Sequence, residues 1–151
     1  MSRSRLSDLE LGAWQALLHT HEKITKQLDA ELRDAHDIGL SDYDVLVRLA
    51  NAPDRRLTMS ELARRAMLPP SSLTRVIDRL VERGLIARDR SASDSRVVHA
   101  SLTNAGRARV RSAARTHLRG IREQFTSQLT DEQLGQVTTA LQVITGPHEP
   151  H

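Results

Sequence analysis

The stretch from Ser71 to Leu102 narrows the choice of folds more than any other part of this chain. Between Ser71 and Arg83, the residues Leu73, Val76, Ile77 and Leu80 recur at i, i+3, i+4 and i+7, which predicts an amphipathic helix. Gly84 is its natural stop, because glycine takes the left-handed C′ position without steric cost. Two short runs with β character follow, Leu85 to Arg90 and Arg96 to Leu102. In the second, Val98, Ala100 and Leu102 alternate with Val97, His99 and Ser101, as a half-buried strand requires. Ser91-Ala92-Ser93-Asp94-Ser95 between them reads as a hairpin tip.

The flanking segments read as helices. Trp14, Leu17, Leu18, His21, Ile24, Leu28 and Leu32 mark one long amphipathic helix from about Leu6 to His36, and Gly39 breaks it. A helix that long exceeds what a small domain buries alone, so part of its stripe is expected to meet a second chain. Ser41 caps a helix carrying Tyr43, Leu46, Val47 and Leu49, which stops at the turn Asn51-Ala52-Pro53-Asp54. Thr58-Met59-Ser60-Glu61 is a capping box opening a short helix to about Ala66, where Leu62, Ala63 and Ala66 offer a face to the helix from Ser71. After the hairpin, Thr103 caps a second long helix with Val110, Ala114, Leu118, Ile121, Phe125 and Leu129 on one stripe. Thr130-Asp131-Glu132-Gln133 is a further capping box, followed by Leu134, Val137, Leu141 and Ile144. The expected organisation is a single chain, 1–151. Long helices at 6–38 and 103–145 flank a helix-turn-helix and hairpin at 41–102, and 146–151 forms a flexible tail. The fold class is mainly α with a small β-hairpin wing.

Charge singles out the middle of the chain. The formal net charge is only +3, but the residues from 55 to 96 hold ten arginines against five acids. Residues 1–54 come to −4 and 97–151 to +2, so a basic block lies between less basic flanks. Twenty of the 22 basic residues are arginine, a side chain that stays charged and forks onto phosphates and guanine edges. Cysteine is absent, which removes disulfides, thiolate metal sites and cysteine nucleophiles together. No apolar run approaches the ~18 residues of a membrane span, and the start of the chain is charged rather than leader-like, so a cytoplasmic protein with no membrane partner is expected.

The basic block falls on the helix and hairpin. At 100° per residue, Ser71, Arg75, Asp78, Arg79 and Glu82 point away from the apolar arc, with Ser72 and Thr74 on its flanks. Short hydroxyls at the start of a helix let its backbone approach a major groove closely, and arginine then reaches the guanine O6/N7 pair or a phosphate. A plain surface helix with Arg75–Asp78 and Arg79–Glu82 pairs is the competing interpretation of this face.

Glu61-Leu62-Ala63, Leu73-Thr74-Arg75-Val76-Ile77-Asp78-Arg79-Leu80, Arg83-Gly84-Leu85-Ile86 and Asp94-Ser95-Arg96, with Leu102-Thr103 and Gly106 beyond, resemble the signature run of the MarR family of bacterial transcriptional regulators. The resemblance covers about 58–106 in motifs, and the whole chain in length and helix order. It implies a winged helix-turn-helix homodimer, joined through its N- and C-terminal helices, that binds double-stranded DNA at a pseudo-palindromic operator, most simply as a repressor. The helix from Ser71, with Ser71, Ser72, Thr74, Arg75 and Arg79, would enter the major groove. The wing would reach the minor groove, with Arg96 as its tip arginine and Asp94 as the acid that orients it; Arg88 and Arg90 are candidates for phosphate contact.

Weaker candidates complete the set. Arg64 and Arg65 stand on the helix that crosses the DNA backbone in this motif. Arg111, Arg115, Arg119 and Arg122 form a basic stripe that is expected to be a solvated face. The seven histidines show no metal-ligand spacing, so neither a metal nor a cofactor is implied. The resemblance also implies a small aromatic or anionic effector held between the terminal helices and the winged region, for which Trp14, His21, Tyr43, Arg48 and His117 are candidates by region. No phosphate loop or nucleophile elbow points to an enzyme. A non-specific architectural DNA binder and a protein-binding winged-helix scaffold remain the alternatives.

Overall fold

The computed structural model describes residues 5–66 and 68–146; the expected tail beyond Gly146 lies outside them. In chain order the elements are α1 (Asp8–His36), α2 (Leu40–Asn51), β1 (Arg56–Thr58), α3 (Met59–Arg65), α4 (Pro70–Glu82), β2 (Ile86–Arg90), β3 (Val98–Leu102), α5 (Asn104–Gln124) and α6 (Asp131–Thr145). The chain is a winged helix-turn-helix framed by long terminal helices.

Helix ends follow the capping chemistry, with some shifts. Thr58 with Glu61 and Thr130 with Gln133 close reciprocal boxes, and Ser7 with Glu10 forms a third at the start of α1. Helix α1 ends on Asp37 in the left-handed region at φ 54°, two residues before Gly39. Helix α2 starts at Leu40 with Gly39 as its cap rather than Ser41, because the Asp42 carboxylate accepts the Gly39 N–H at 2.7 Å. The Leu40 N–H donates to Asp29 at 2.8 Å. A Cβ at residue 39 would lie 2.6 Å from the Arg33 guanidinium, so any larger residue at this elbow would displace that side chain. Helix α4 starts at Pro70 rather than at Ser71 or Ser72; proline at the first helical position gives up only an amide that has no partner there.

The sheet holds one strand more than the hairpin expected from sequence. Its order is β1-β3-β2, antiparallel throughout, with Leu57 opposite Ala100 on one side and Arg88 opposite Ala100 on the other. Strand β1 has only three residues, wedged between a turn and the Thr58 cap, so it is too short to show an alternating pattern. Its pairing makes β3 the central strand and leaves Ala100 fully buried.

The core gathers Leu32, Ile38, Val45, Leu46, Leu49, Leu57, Leu62, Ile77, Leu80, Leu85 and Ile86 around the α2–α4 layer. All four apolar positions read on α4 are buried. Ala63 on α3 is exposed, and only Leu62 of that helix is buried. Helix α5 packs mainly along α1, and its buried positions are Ala113, Thr116 and Gly120, with Gly106 against Leu85 and Leu102, rather than the stripe through Ala114 and Leu118. Leu118 is 52% exposed. Small residues bring the two helices close, whereas the larger side chains face outward. Among the described residues no helix is long and apolar enough to cross a membrane.

Candidate nucleic-acid interface

Helix α4 and the β2–β3 wing both carry exposed arginines, and the Asp78–Arg88 ion pair joins the two elements. Ser71, Thr74 and Arg75 are exposed, Ser72 is half-buried, and the Thr74 hydroxyl donates back to the Pro70 carbonyl at 3.1 Å. No acid lies in the first turn of α4. Arg75 has no ion-pair partner among the described residues. The i, i+3 pairs of the competing surface-helix interpretation do not form among the described residues. Asp78 instead meets Arg88 of β2 at 2.8 Å, and Arg79 turns to the buried Asp42 of α2. Both pairings join α4 to another element, and this is why a helix-only argument misassigns them.

The wing is braced from within. Arg90 donates to the Ser95 carbonyl at 3.1 Å, across the base of the tip. Asp94 Oδ1 accepts both the Arg96 backbone N–H at 3.0 Å and the Arg96 Nε at 3.3 Å, while Arg96 stays 90% exposed. The carboxylate thus holds the root of this side chain and leaves its end in solvent. Arg56 and Asp89 pair at 2.6 Å across the sheet, joining the two outer strands over β3. A hollow of about 410 Å³ lies between the start of α3 and the wing, lined by Thr58, Met59, Ser60, Arg88, Arg96, Val97 and Val98. Arg64 and Arg65 are exposed in the last turn of α3. The Thr58 amide holds the Glu61 carboxyl below its usual range, so the box acid is ionised beneath them.

The sequence and the fold both match known proteins. The MarR family model fits residues 36–97. The chain is 30% identical over 129 residues to the HTH-type transcriptional repressor MdtR of Bacillus subtilis, covering 85% of this chain and 78% of that protein. The chain belongs to the MarR family. The solved MarR family regulator AbsC of Streptomyces coelicolor superposes with a TM-score of 0.86 at 32% identity, covering 93% of this chain and 95% of that one. Sco3205 of the same organism, solved in complex with DNA, gives 0.87 at 29% identity over 97% and 92%.

In this MarR-family regulator the effector candidates do not converge. Tyr43 of α2 and His117 of α5 meet, with ring centroids 4.6 Å apart and planes at 46°. Arg48 pairs with Asp44 one turn back at 2.9 Å. His21 instead lines a separate hollow of about 740 Å³ among α1, the end of α5 and α6, with Leu17, Ile24, Phe125 and Leu141. Trp14 lines neither place and is 54% exposed. The stripe Arg111, Arg115, Arg119 and Arg122 is solvated, with one contact from Arg119 to Glu123 at 3.9 Å. Among the described residues no cluster of three acids or histidines is placed to hold a metal.

Sequence reasoning passed over Asp42 and Glu31. Asp42 had a local signal, three residues after Gly39 in box spacing, but nothing local indicates its partner in α4. Glu31 Oε2 and His117 Nδ1 are buried without a hydrogen-bond partner among the described residues. Burial pushes His117 below its ordinary value of 6.5, against the opposing pull of Asp44 and Glu31. A depressed histidine contributes stability that is present above its unfolded pKa and lost as pH falls through the folded one. Urea midpoints measured between about pH 7.5 and pH 5 should therefore fall less steeply for His117→Gln than for the wild type. Equal slopes would remove His117 from the acid response.

Proposed function

We propose that this chain is a sequence-specific repressor that binds a pseudo-palindromic operator as a homodimer and is released by a small aromatic or anionic effector. The observation that carries this reading is the arginine-bearing face itself. Arg75 stands behind Ser71, Ser72 and Thr74 with no ion-pair partner among the described residues, and Arg96 projects from a braced hairpin tip. Arginine on a helix of this kind reads guanine edges in the major groove, and arginine on a narrow tip enters A·T-rich minor grooves where the negative potential is strongest. Arg90, Arg64 and Arg65 supply positive charge toward the phosphates on either side, whereas Asp78 offsets the charge of Arg88.

The dimer reading rests on apolar surface at the two ends of the chain. Leu9 is 84% exposed, Trp14 54%, Val143 84% and Ile144 79%, more than a lone helix pair gives to water without reason. A second copy that covers α1 and α6 along 6–38 and 103–145 sets the two reading helices on one face of the duplex, with 41–102 as the reading unit. Operator spacing then asks for a separation of roughly 34–36 Å, and an effector acts by binding better to a dimer with another spacing. Of the effector candidates, Tyr43 and His117 touch each other and His21 lines a hollow, and such a regulator works in the cytoplasm, beside the chromosome.

The deciding experiment is an anisotropy titration against the DNA upstream of the protein's own gene and a shuffled duplex, across a salt series, with light scattering for stoichiometry. The expected result is a dimer that prefers one duplex by about 10³-fold or more, with log K falling linearly in log salt. Equal binding to both duplexes, repeated after selection from a random pool, would indicate an architectural protein. No binding at low salt would leave a protein-interaction scaffold, and a stable monomer would remove the two-helix docking geometry.

A further inference from the structure

Arg79 lies one turn beyond Arg75 on α4, and the sequence assigns both to the outward face. The fold separates their roles. Arg79 Nε lies 3.1 Å from Asp42 Oδ1, and Nη2 of the same guanidinium contacts that oxygen too. The Asp42 side chain is only 2% exposed, and its second oxygen accepts the Gly39 N–H. One buried carboxylate thus starts α2 and grips an arginine of α4 at the same time. A carboxylate this deeply buried needs such partners, since an unpaired charge there is strongly unfavourable. The grip is also geometric: the Arg79 side chain is 46% exposed, but a guanidinium held at both Nε and Nη2 is restrained from turning toward a partner. One turn on, Arg83 meets Asp37 at 3.1 Å, but Asp37 is 95% exposed and that pair constrains little.

We propose that Asp42 is a positioning residue for DNA reading, which withholds Arg79 from the duplex and fixes the angle at which α4 presents Ser71, Ser72 and Arg75. This rests on the operator-binding reading above. A free arginine at position 79 would form salt-dependent contacts with phosphates of any sequence, and so would raise non-specific and specific affinity alike. Discrimination is a difference of affinities, and it grows when a sequence-blind contact is suppressed. In this chain the suppressor is an acid 37 residues away, on the helix that begins at the α1–α2 elbow.

The test uses the full chain, a duplex selected by the wild type from a random pool, and a shuffled duplex, titrated across a salt series. Asp42→Asn keeps an oxygen for the Gly39 N–H but releases Arg79. It should bind the shuffled duplex several-fold more tightly at low salt and lose about ten-fold or more of its discrimination, with the slope steepening by about 0.9 per freed arginine. Arg79→Gln should keep the wild-type salt slope, and adding it to Asp42→Asn should restore that slope. A flattened slope for Arg79→Gln alone would place Arg79 on the DNA and overturn the proposal, even if Asp42→Asn does not fold.

A second readout needs no DNA. Solvent exchange of the Arg79 Nε–H, followed by NMR, should be slower than that of Arg75 and should speed up in Asp42→Asn. Equal exchange in the wild type would overturn the pairing itself. If the wild type prefers no duplex, the regulator reading fails and takes this inference with it. A wild-type preference that Asp42→Asn leaves intact overturns the inference alone.

Discussion

Alanine at Arg75 is expected to abolish most of the discrimination between the selected duplex and its shuffled control. A single arginine that reads a base edge is worth about 1–3 kcal/mol. In a homodimer on a two-fold operator the substitution acts twice, so the expected loss is roughly 2–6 kcal/mol, or about 30-fold to more than 10⁴-fold in Kd. Binding to the shuffled duplex should change far less, because a base-reading contact adds little to sequence-blind affinity. Arg75 is singled out because its neighbours are otherwise engaged: Arg79 is held by Asp42, and Arg88 by Asp78. Arg96→Ala provides the contrast, with its largest effect on operators whose flanks are A·T-rich. If Arg75→Ala binds the selected duplex as tightly as the wild type, helix α4 does not read bases through this residue.

The largest stability loss from one substitution is expected at Leu80. Its side chain is fully buried in the cluster with Leu46, Leu49, Ile77 and Leu85. It also belongs to the turn that ends α4, where Gly84 takes φ 72° and the Leu85 N–H donates back to the Leu80 carbonyl at 2.9 Å. That 6→1 bond, together with the adjacent Gly84 N–H to the Val81 carbonyl at 3.0 Å, is a Schellman closure, and the buried Leu80 and Leu85 supply its apolar contact. Leu80→Ala therefore leaves a cavity and loosens the corner from which the wing departs. The expected cost is about 2–5 kcal/mol. For a chain of this size that lowers Tm by roughly 5–20 °C, measured at one protein concentration because a dimer's stability depends on it. A shift of a degree or two would mean that the α4–β2 corner is not packed as described.

How much of this was legible beforehand depended on range. The stripe Leu73, Val76, Ile77, Leu80 and the stop at Gly84 were readable because helix period and cap chemistry operate within a few residues. The boxes at Thr58 and Thr130 were readable for the same reason. The buried stripe of α5 was not. Ala113, Thr116 and Gly120 are small residues without a hydrophobic signature, and they are inside because close helix approach selects size rather than apolarity. Strand β1 was missed because three residues carry no period, and its existence depends on an edge of β3 more than 40 positions later in the chain.

The candidate site divides along the same line. Residue type and local spacing were enough to place Ser71, Thr74 and Arg75 on an exposed helix edge, and Asp94 with Arg96 at a hairpin tip where two positions suffice for the contact. Which arginines are free was decided only when the chain folded. An ion pair has no preferred sequence separation, and its worth depends on burial, which belongs to the assembled structure. Asp42 with Arg79 and Asp78 with Arg88 each cross from one element to another. Local chemistry therefore determined the elements and the face they share, while the packing of α2 and β2 against α4 decided which charges on that face are left for a partner.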